Sequence, residues 1–197
     1  MFQQHPILPT NSLPIAIIGA GGIVKDAHLP AYALAGFPVI GIYDVDNTKA
    51  IALKNQFSFI EKNYTSLTDL ITDATQKKAV FDLAVPANYI CSVLEQLPDR
   101  AAVLIQKPMG ESIKKALEIE KICKEKQFVS AVNFQLKFAP YCIAAKDIIS
   151  QKLIGDIFDM EVKVCVHTPW ELWSFLYEKD RVEVLYHSIH YLDLVRS

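Results

Sequence analysis

The chain has 197 residues, of which 51% are hydrophobic, so it is long enough for one or two domains with a sizeable core. Its 20 basic and 22 acidic residues leave a formal net charge of −2. Such a balance provides no long-range field for holding a nucleic acid or an anionic membrane surface, and we expect neither as a partner.

The N-terminal segment and the cysteines limit the class of protein further. Residues 1–12 contain prolines but no basic start followed by an apolar run, which predicts an extended arm and not a signal peptide. No segment approaches the length of a membrane span, so we expect a cytoplasmic protein. Reduced, buried thiols and no metal site are expected because there is no C-x-x-C pair or compact Cys/His cluster among Cys91, Cys123, Cys142 and Cys165.

Five short apolar segments rich in Val and Ile follow the arm and are separated by stretches of helical length. They lie at 13–19, 39–44, 79–85, 103–106 and 128–133. Continuously apolar strands that alternate with helices, such as the helix predicted at 111–126, are typical of a parallel sheet covered on both faces. The pattern predicts an α/β fold, a doubly wound Rossmann domain, over residues 13–133.

The pattern changes after residue 133, where we place a domain boundary. A helix is predicted around 140–150 and a half-buried strand at 156–166, where apolar residues mostly alternate. Because one strand cannot build a sheet, residues 134–197 are predicted to be the beginning of a second domain that is incomplete in this chain.

A glycine-rich turn follows the first predicted strand directly. It reads Gly19-Ala20-Gly21-Gly22-Ile23-Val24, a G-x-G-x-x-V pattern. Gly19 permits a tight turn, and Gly21 allows the backbone to approach a pyrophosphate whose charge is met at the start of the next helix. An ordinary strand-to-helix turn is the alternative explanation of a glycine cluster that stands alone.

The next predicted strand ends in an acid at the spacing of a dinucleotide site. Asp44 lies 23 residues beyond Gly21, near the roughly 20 residues at which a carboxylate accepts hydrogen bonds from the adenosine ribose. This order predicts NAD as cofactor, with NADP less favoured, whereas the nearby Asp46 is expected to be solvated or to cap a helix. The full set of expected cofactor contacts is Gly19, Ala20, Gly21, Gly22, Ile23, Asp44, Pro86 and Lys107.

Three further segments, taken with the glycine turn, resemble a known family. They are Gln106-Lys107-Pro108-Met109-Gly110, Asn133 and His190-Tyr191-Leu192-Asp193. From residue 15 to residue 196 the chain is similar to the glucose-fructose oxidoreductase / inositol dehydrogenase (Gfo/Idh/MocA) family of NAD(P)-dependent enzymes. The resemblance implies hydride transfer between a nicotinamide cofactor and a CH–OH group of a sugar, sugar derivative or cyclic polyol, and a homo-oligomer in a full-length form. It also implies that residues 134–197 begin an α+β open-sheet domain for substrate binding and oligomerisation.

The resemblance also implies roles for particular side chains. His190 is the expected general base, and Lys107 would donate to the substrate oxygen. Asp193, three residues after His190, would orient the imidazole. The aromatic loop at 167–173 suits the binding of a sugar ring, although core packing explains Trp173 about as well. The expected substrate contacts are Lys107, Asn133, Trp170, His187 and His190.

The chain departs from the family's pattern at three positions. Gln106 replaces the usual glutamate of a Glu-Lys-Pro motif and removes a negative neighbour of Lys107. Tyr186 stands where many members carry an aspartate four residues before the histidine, so this phenol either relays the proton or only shapes the pocket. Gln135 stands where an arginine is common.

Two other functions stay open at this point. A non-catalytic dinucleotide-binding sensor is favoured by Tyr186 and disfavoured by the retention of Lys107 and His190. An NAD-using glycoside hydrolase would transfer hydride only transiently.

His187 and His190, spaced i and i+3, are a weak zinc signal without a third nearby ligand, and we expect no metal.

Overall fold

A computed structural model of the chain describes residues 2–165, 167 and 181–197. The chain forms two compact units. One is Leu8–Asn133, and the other combines the residues up to Ile7 with Phe134–Ser197. Every strand that the described residues form lies in the first unit.

The unit Leu8–Asn133 is built around a six-stranded parallel sheet. Its strands are β1 (Ile15–Ile18), β2 (Val39–Tyr43), β3 (Asn63–Tyr64), β4 (Val80–Leu83), β5 (Ala102–Ile105) and β6 (Val129–Val132). The order across the sheet is β3-β2-β1-β4-β5-β6. This is the doubly wound order, in which the winding reverses between β1 and β4. The predicted α/β Rossmann fold is confirmed.

Helices connect the strands and cover the sheet. They are α1 (Leu29–Ala35), which continues a π-helical turn at Val24–His28, and α2 (Asn47–Gln56), α3 (Leu67–Gln76), α4 (Ile90–Gln96) and α5 (Ile113–Glu125). Three of them begin at a side-chain cap, in which Asp46, Ser66 or Ser112 accepts a hydrogen bond from a backbone N–H of the first turn. The predicted helix at 111–126 and the predicted capping role of Asp46 are confirmed.

The core consists of two hydrophobic clusters, one on each face of the sheet. Successive side chains of a strand point to opposite faces. Accordingly, Ile15 and Ile17 of β1 are buried in one cluster, and Ala16 and Ile18 of the same strand are buried in the other. Burial on both faces explains why the strands are continuously apolar in the sequence.

The short strand β3 is absent from the sequence prediction. Asn63 and Tyr64 pair with Ile42 and Tyr43 at the edge of β2. A two-residue segment with a polar member has no apolar run that would reveal it. The Tyr64 side chain is buried, and its hydroxyl donates to Asp73 of α3.

The second unit is helical where it has regular structure among its described residues. It contains a 3-10 turn (Gln135–Phe138), α6 (Pro140–Ser150), a π-helical turn (Glu183–Ser188) and α7 (Ile189–Arg196). The helix predicted around 140–150 is therefore confirmed. The backbone N–H of Gln3, near the start of the chain, donates to the carboxylate of Asp147 in α6 over 3.1 Å.

The prediction of a strand at 156–166 is wrong for residues 156–165, which are exposed and have no regular secondary structure. Apolar alternation alone does not form a strand, because the backbone needs a neighbouring strand for its hydrogen bonds. The described residues of this unit contain no such neighbour. The expected open sheet and the roles of the two domains stay predictions.

The cysteines are free thiols, as predicted, but their burial differs from the prediction. Cys142 is buried, Cys91 and Cys123 are half-buried, and Cys165 is exposed because it lies in the irregular segment 156–165. In the ranges that the structure describes, no helix is both long enough and apolar enough to cross a membrane.

Candidate functional site

The predicted cofactor residues of Leu8–Asn133 lie at one edge of the sheet, because parallel strands present their carboxyl ends on the same side. Neighbouring strands are roughly 4.8 Å apart, so the ends of β2 and β5, three spacings from each other, are separated by roughly 14 Å. The candidate site therefore extends along this edge. Across the sheet from β2 to β6, the residues that follow the strands are Asp44, Gly19, Pro86, Lys107 and Asn133.

Gly19 is required by the fold itself. Its φ is +111°, and a Cβ at this position would lie 2.3 Å from the carbonyl oxygen of Ala84, which follows β4. Its N–H donates to the carbonyl of Tyr43 over 2.7 Å, at the end of β2. The turn thus spans the point between β1 and β4 where the winding of the sheet reverses.

Gly21 has no such packing reason to be glycine. A Cβ built there would meet no protein atom within 4 Å. The Gly21 carbonyl accepts from the N–H groups of Val24 and Lys25 over 3.1 and 3.2 Å, which starts the helical segment. Close approach of a pyrophosphate to the backbone explains a glycine in open space, whereas protein packing does not.

Asp44 is tied to the glycine turn by hydrogen bonds. Its Oδ2 accepts from the N–H of Ala20 over 2.7 Å, and its Oδ1 accepts from the N–H of Asp46 over 2.8 Å. A carboxylate has about four lone-pair sites, so two remain for further donors. The side chain is held at the end of β2 with capacity left for the hydroxyls of a ribose.

Lys107 follows β5 and precedes the cis peptide bond to Pro108. Its side chain is half-buried, and this burial lowers the pKa of its ammonium group below the ordinary value of 10.5. Its backbone N–H donates to the side-chain oxygen of Gln106 over 2.8 Å. A lysine that loses its proton more readily than usual is suited to proton exchange at a strand end.

The lowered pKa of Lys107 can be measured by chemical labelling. Trace labelling with an amine reagent, followed by peptide mass mapping across a pH series, should give a labelling midpoint for Lys107 below 10.5. Because the folded state binds fewer protons here, this group destabilises the fold below its folded pKa, and the penalty disappears as the pH rises to 10.5. The denatured protein is the control, and a folded midpoint at or above the denatured one would contradict the prediction.

A buried polar network lies beside this site and was not predicted from the sequence. His28 Nδ1 is 2.7 Å from Asp82 Oδ2, and the Tyr32 hydroxyl donates to the same oxygen over 2.9 Å. On the other side of the ring, His28 Nε2 is 3.1 Å from the side-chain nitrogen of Asn133 and 3.4 Å from that of Gln106. His28, Asp82 and Gln106 are only 6%, 1% and 7% exposed.

Nothing near His28 in the sequence distinguishes it from an ordinary surface or core histidine. The signal that could have revealed the network is Asp82, a charged residue inside the apolar strand β4. A buried acid is costly unless it is paired, so its position within a continuous apolar run implies a partner.

The second unit carries the other predicted catalytic residues on its C-terminal helical segment. Tyr186 and His187 lie in the turn Glu183–Ser188, and His187 Nδ1 is 3.1 Å from a carboxylate oxygen of Glu183. His190 lies in the first turn of α7, where its ring packs edge-on against Phe134 with 6.1 Å between the ring centroids.

Asp193 pairs with the Lys137 ammonium, at 3.4 Å between Oδ2 and Nζ. Its orienting role toward His190 stays a prediction, and Trp170 lies outside the described residues. In the part of the chain that the structure describes, no group of three or more His, Cys, Asp or Glu side chains is arranged to hold a metal ion.

A doubly wound sheet, a glycine turn at its switch point and an acid after the second strand together define a dinucleotide-binding Rossmann protein. Residues 13–134 match the family GFO_IDH_MocA, described as an oxidoreductase family with an NAD-binding Rossmann fold. The chain belongs to this family. The resemblance stated from the sequence motifs is confirmed, and NAD is confirmed as the cofactor of the family.

Individual relatives agree with this assignment. Glucose-6-phosphate 3-dehydrogenase of Bacillus subtilis (strain 168) is 26% identical over 152 residues, which cover 75% of this chain and 41% of that enzyme. The chain thus spans about two fifths of the length of this relative.

Two solved structures show the same fold. The WlbA dehydrogenase from Bordetella pertussis, in complex with NADH and UDP-GlcNAcA, has a TM-score of 0.72 at 22% identity and covers 94% of this chain and 57% of its own. A super-repressor mutant of Gal80p from Saccharomyces cerevisiae has a TM-score of 0.71 at 19% identity, over 94% of this chain and 52% of its own. At these identities the two structures support the fold alone.

Proposed function

We propose that this protein is an NAD-dependent dehydrogenase that transfers a hydride between the cofactor and a CH–OH group of a sugar, sugar derivative or cyclic polyol. The observation that carries the proposal is the open space at Gly21, on the sheet edge that also bears Asp44 and Lys107. Residues 13–133 would bind the cofactor, and residues 134–197 would begin the substrate domain.

In the proposed reaction, the cofactor accepts the hydride, and two side chains, Lys107 and His190, act on the substrate hydroxyl. NAD, when bound, supplies the hydride acceptor. The Lys107 ammonium donates a hydrogen bond to the substrate oxygen and stabilises the negative charge that develops on it. His190 takes the hydroxyl proton as general base and returns it in the reverse direction, with Asp193 orienting its ring and Tyr186 as a candidate relay.

A carbohydrate or polyol substrate is supported by the relatives. By its name, the Bacillus subtilis relative acts on glucose 6-phosphate, and the Bordetella pertussis structure holds UDP-GlcNAcA. Asn133, Trp170 and His187 are the proposed additional substrate contacts. The experiment is a screen of sugars, sugar phosphates and cyclic polyols for net reduction of NAD, read from the absorbance of the reduced nicotinamide.

A regulatory function is the second candidate. Two observations favour it: Tyr186 replaces the aspartate common in the family, and one structure of the same fold is a super-repressor. A sensor would bind NAD and give no turnover in the substrate screen. An NAD-using glycoside hydrolase would cleave a glycoside without a net change in nicotinamide absorbance.

We expect the protein to prefer NAD(H) over NADP(H), because Asp44 would repel a 2′-phosphate. Two unit charges about 4 Å apart repel by about 1 kcal/mol even in bulk water, so Asp44→Ala should narrow the ratio of the two dissociation constants by about fivefold or more. Isothermal titration with both cofactors measures this ratio. Asp46→Ala, which removes an exposed acid two residues away, should leave the ratio unchanged, and equal dissociation constants in the unaltered protein would contradict the prediction.

A further inference from the structure

The network around His28 joins four parts of the cofactor-binding unit. His28 ends the helical turn that follows the glycine motif, Asp82 belongs to β4, and Gln106 and Asn133 follow β5 and β6. We propose that His28 is a positioning residue: with its proton on Nδ1 and donated to Asp82, its Nε2 accepts from the Gln106 amide and so holds the segment that carries Lys107.

The hydrogen bond of Gln106 to the backbone fixes the orientation of its side-chain amide. Its side-chain oxygen is committed to the backbone N–H of Lys107, over 2.8 Å. The amide nitrogen therefore faces the imidazole, at 3.4 Å from His28 Nε2. An N–H donor needs an acceptor, so Nε2 carries no proton. The side-chain nitrogen of Asn133, at 3.1 Å, offers a second donor to the same atom.

Asp82 supplies the other half of the arrangement. Burial, and then the neighbouring Asp82, raise the pKa of Tyr32 well above its ordinary value, so the phenol keeps its proton and donates it to Asp82 Oδ2. The same oxygen lies 2.7 Å from His28 Nδ1 and accepts the proton of this nitrogen. A hydrogen bond at one ring nitrogen fixes the state of the other, so Asp82 selects the tautomer that Gln106 requires.

The network explains why this chain carries glutamine before Lys107. A glutamate at position 106 would place a carboxylate oxygen, which is an acceptor, against Nε2, which is also an acceptor. With Asp82 accepting the Nδ1 proton, an amide at position 106 keeps the imidazole neutral, whereas a glutamate there would need a second proton on Nε2. The neighbour of Lys107 is neutral as a result, and the acid of the network lies on the opposite side of the imidazole, on β4.

The tautomer can be observed directly by nitrogen NMR of the full chain labelled with ¹⁵N-histidine, recorded without cofactor near neutral pH. The expected His28 spectrum shows Nδ1 in the protonated range and Nε2 in the unprotonated range, with the exposed His5 as an internal comparison. A proton on Nε2, whether in the opposite tautomer or in an imidazolium ion, would overturn the inference.

Two substitutions test the coupling between positions 82 and 106. In Gln106→Glu, the new carboxylate should draw a proton onto Nε2 and raise the labelling midpoint of Lys107. In the double variant with Asp82→Asn, the asparagine amide can donate to Nδ1 and the glutamate can accept from Nε2–H, so the tautomer should reverse. The loss in denaturation midpoint should then be smaller than the sum of the losses in the single variants.

Gln96→Glu, which introduces the same charge at an exposed amide on α4, is the matched control and should leave the His28 signals unchanged. Unchanged ring signals in Gln106→Glu, or strictly additive losses, would count against the inference. If Asp82→Asn alone does not fold, the spectra of the unaltered protein and of Gln106→Glu decide. The inference rests on the proposed function only in placing Lys107 at the site. Because these spectra are recorded without cofactor, their failure is distinct from a failure of NAD binding.

Discussion

Replacing Gly21 with valine should abolish strong NAD(H) binding and leave the fold intact. A Cβ at Gly21 meets no protein atom within 4 Å, so we expect the isopropyl group to enter the space that the pyrophosphate would occupy. We expect the dissociation constant for NADH to rise by roughly 100-fold or more, which corresponds to about 2.7 kcal/mol of binding free energy. Isothermal titration measures the affinity, and circular dichroism reports the fold.

Gly19→Val is the matched control, because we expect this substitution to destabilise the fold, whereas Gly21→Val should weaken only cofactor binding. Its Cβ would lie 2.3 Å from the Ala84 carbonyl oxygen, on a backbone with φ of +111°. Strain of this kind costs roughly 1–3 kcal/mol even before the steric clash, so the free energy of unfolding should fall clearly. Unchanged NADH affinity in a folded Gly21→Val protein would mean that the glycine turn is only structural.

Lys107→Met should lower kcat by roughly 10²–10⁴ on any substrate that the unaltered protein turns over, with cofactor affinity near its original value. This range covers the usual cost of removing a donor that stabilises developing charge and that of removing a positioned acid–base group. Methionine has an unbranched apolar side chain that can replace the half-buried stem of Lys107. It lacks the ammonium group that would contact the substrate oxygen. Steady-state kinetics together with NADH titration separate the two effects.

The control for Lys107→Met is Lys121→Met, an exposed lysine of α5 whose side chain is 72% accessible and which should have no effect on turnover. His190→Ala should cause a loss similar to that of Lys107→Met. Tyr186→Phe distinguishes a proton relay, which would slow turnover and alter the pH profile, from a packing role. Full turnover by Lys107→Met would contradict the proposed catalytic site and would favour the non-catalytic, dinucleotide-binding sensor.

Much of the sheet could be predicted because its signal is local. Each of the five predicted strands is an apolar run of its own, and the doubly wound order follows from their alternation with helices. β3 could not be predicted because it forms only by pairing with the edge of β2. The strand predicted at 156–166 failed over its described residues for the converse reason, since a local pattern without a partner strand does not make a sheet.

The candidate site shows the same division between local and distant signals. The glycine turn and Asp44 lie within 26 residues of each other, and their spacing alone predicts a dinucleotide site. The His28 network joins residues 54 and 78 positions apart in the chain. Only the fold brings Asp82 and Gln106 to opposite sides of one imidazole, and no spacing rule in a single sequence indicates that contact.

Titration of the purified protein with NADH measures whether this chain binds NAD at the glycine turn. We expect saturable binding with one site per chain, weakened by roughly 100-fold or more in Gly21→Val. A folded, unaltered protein that showed no saturable binding of NADH, or one that bound NADH equally well with valine at position 21, would contradict NAD binding at this turn.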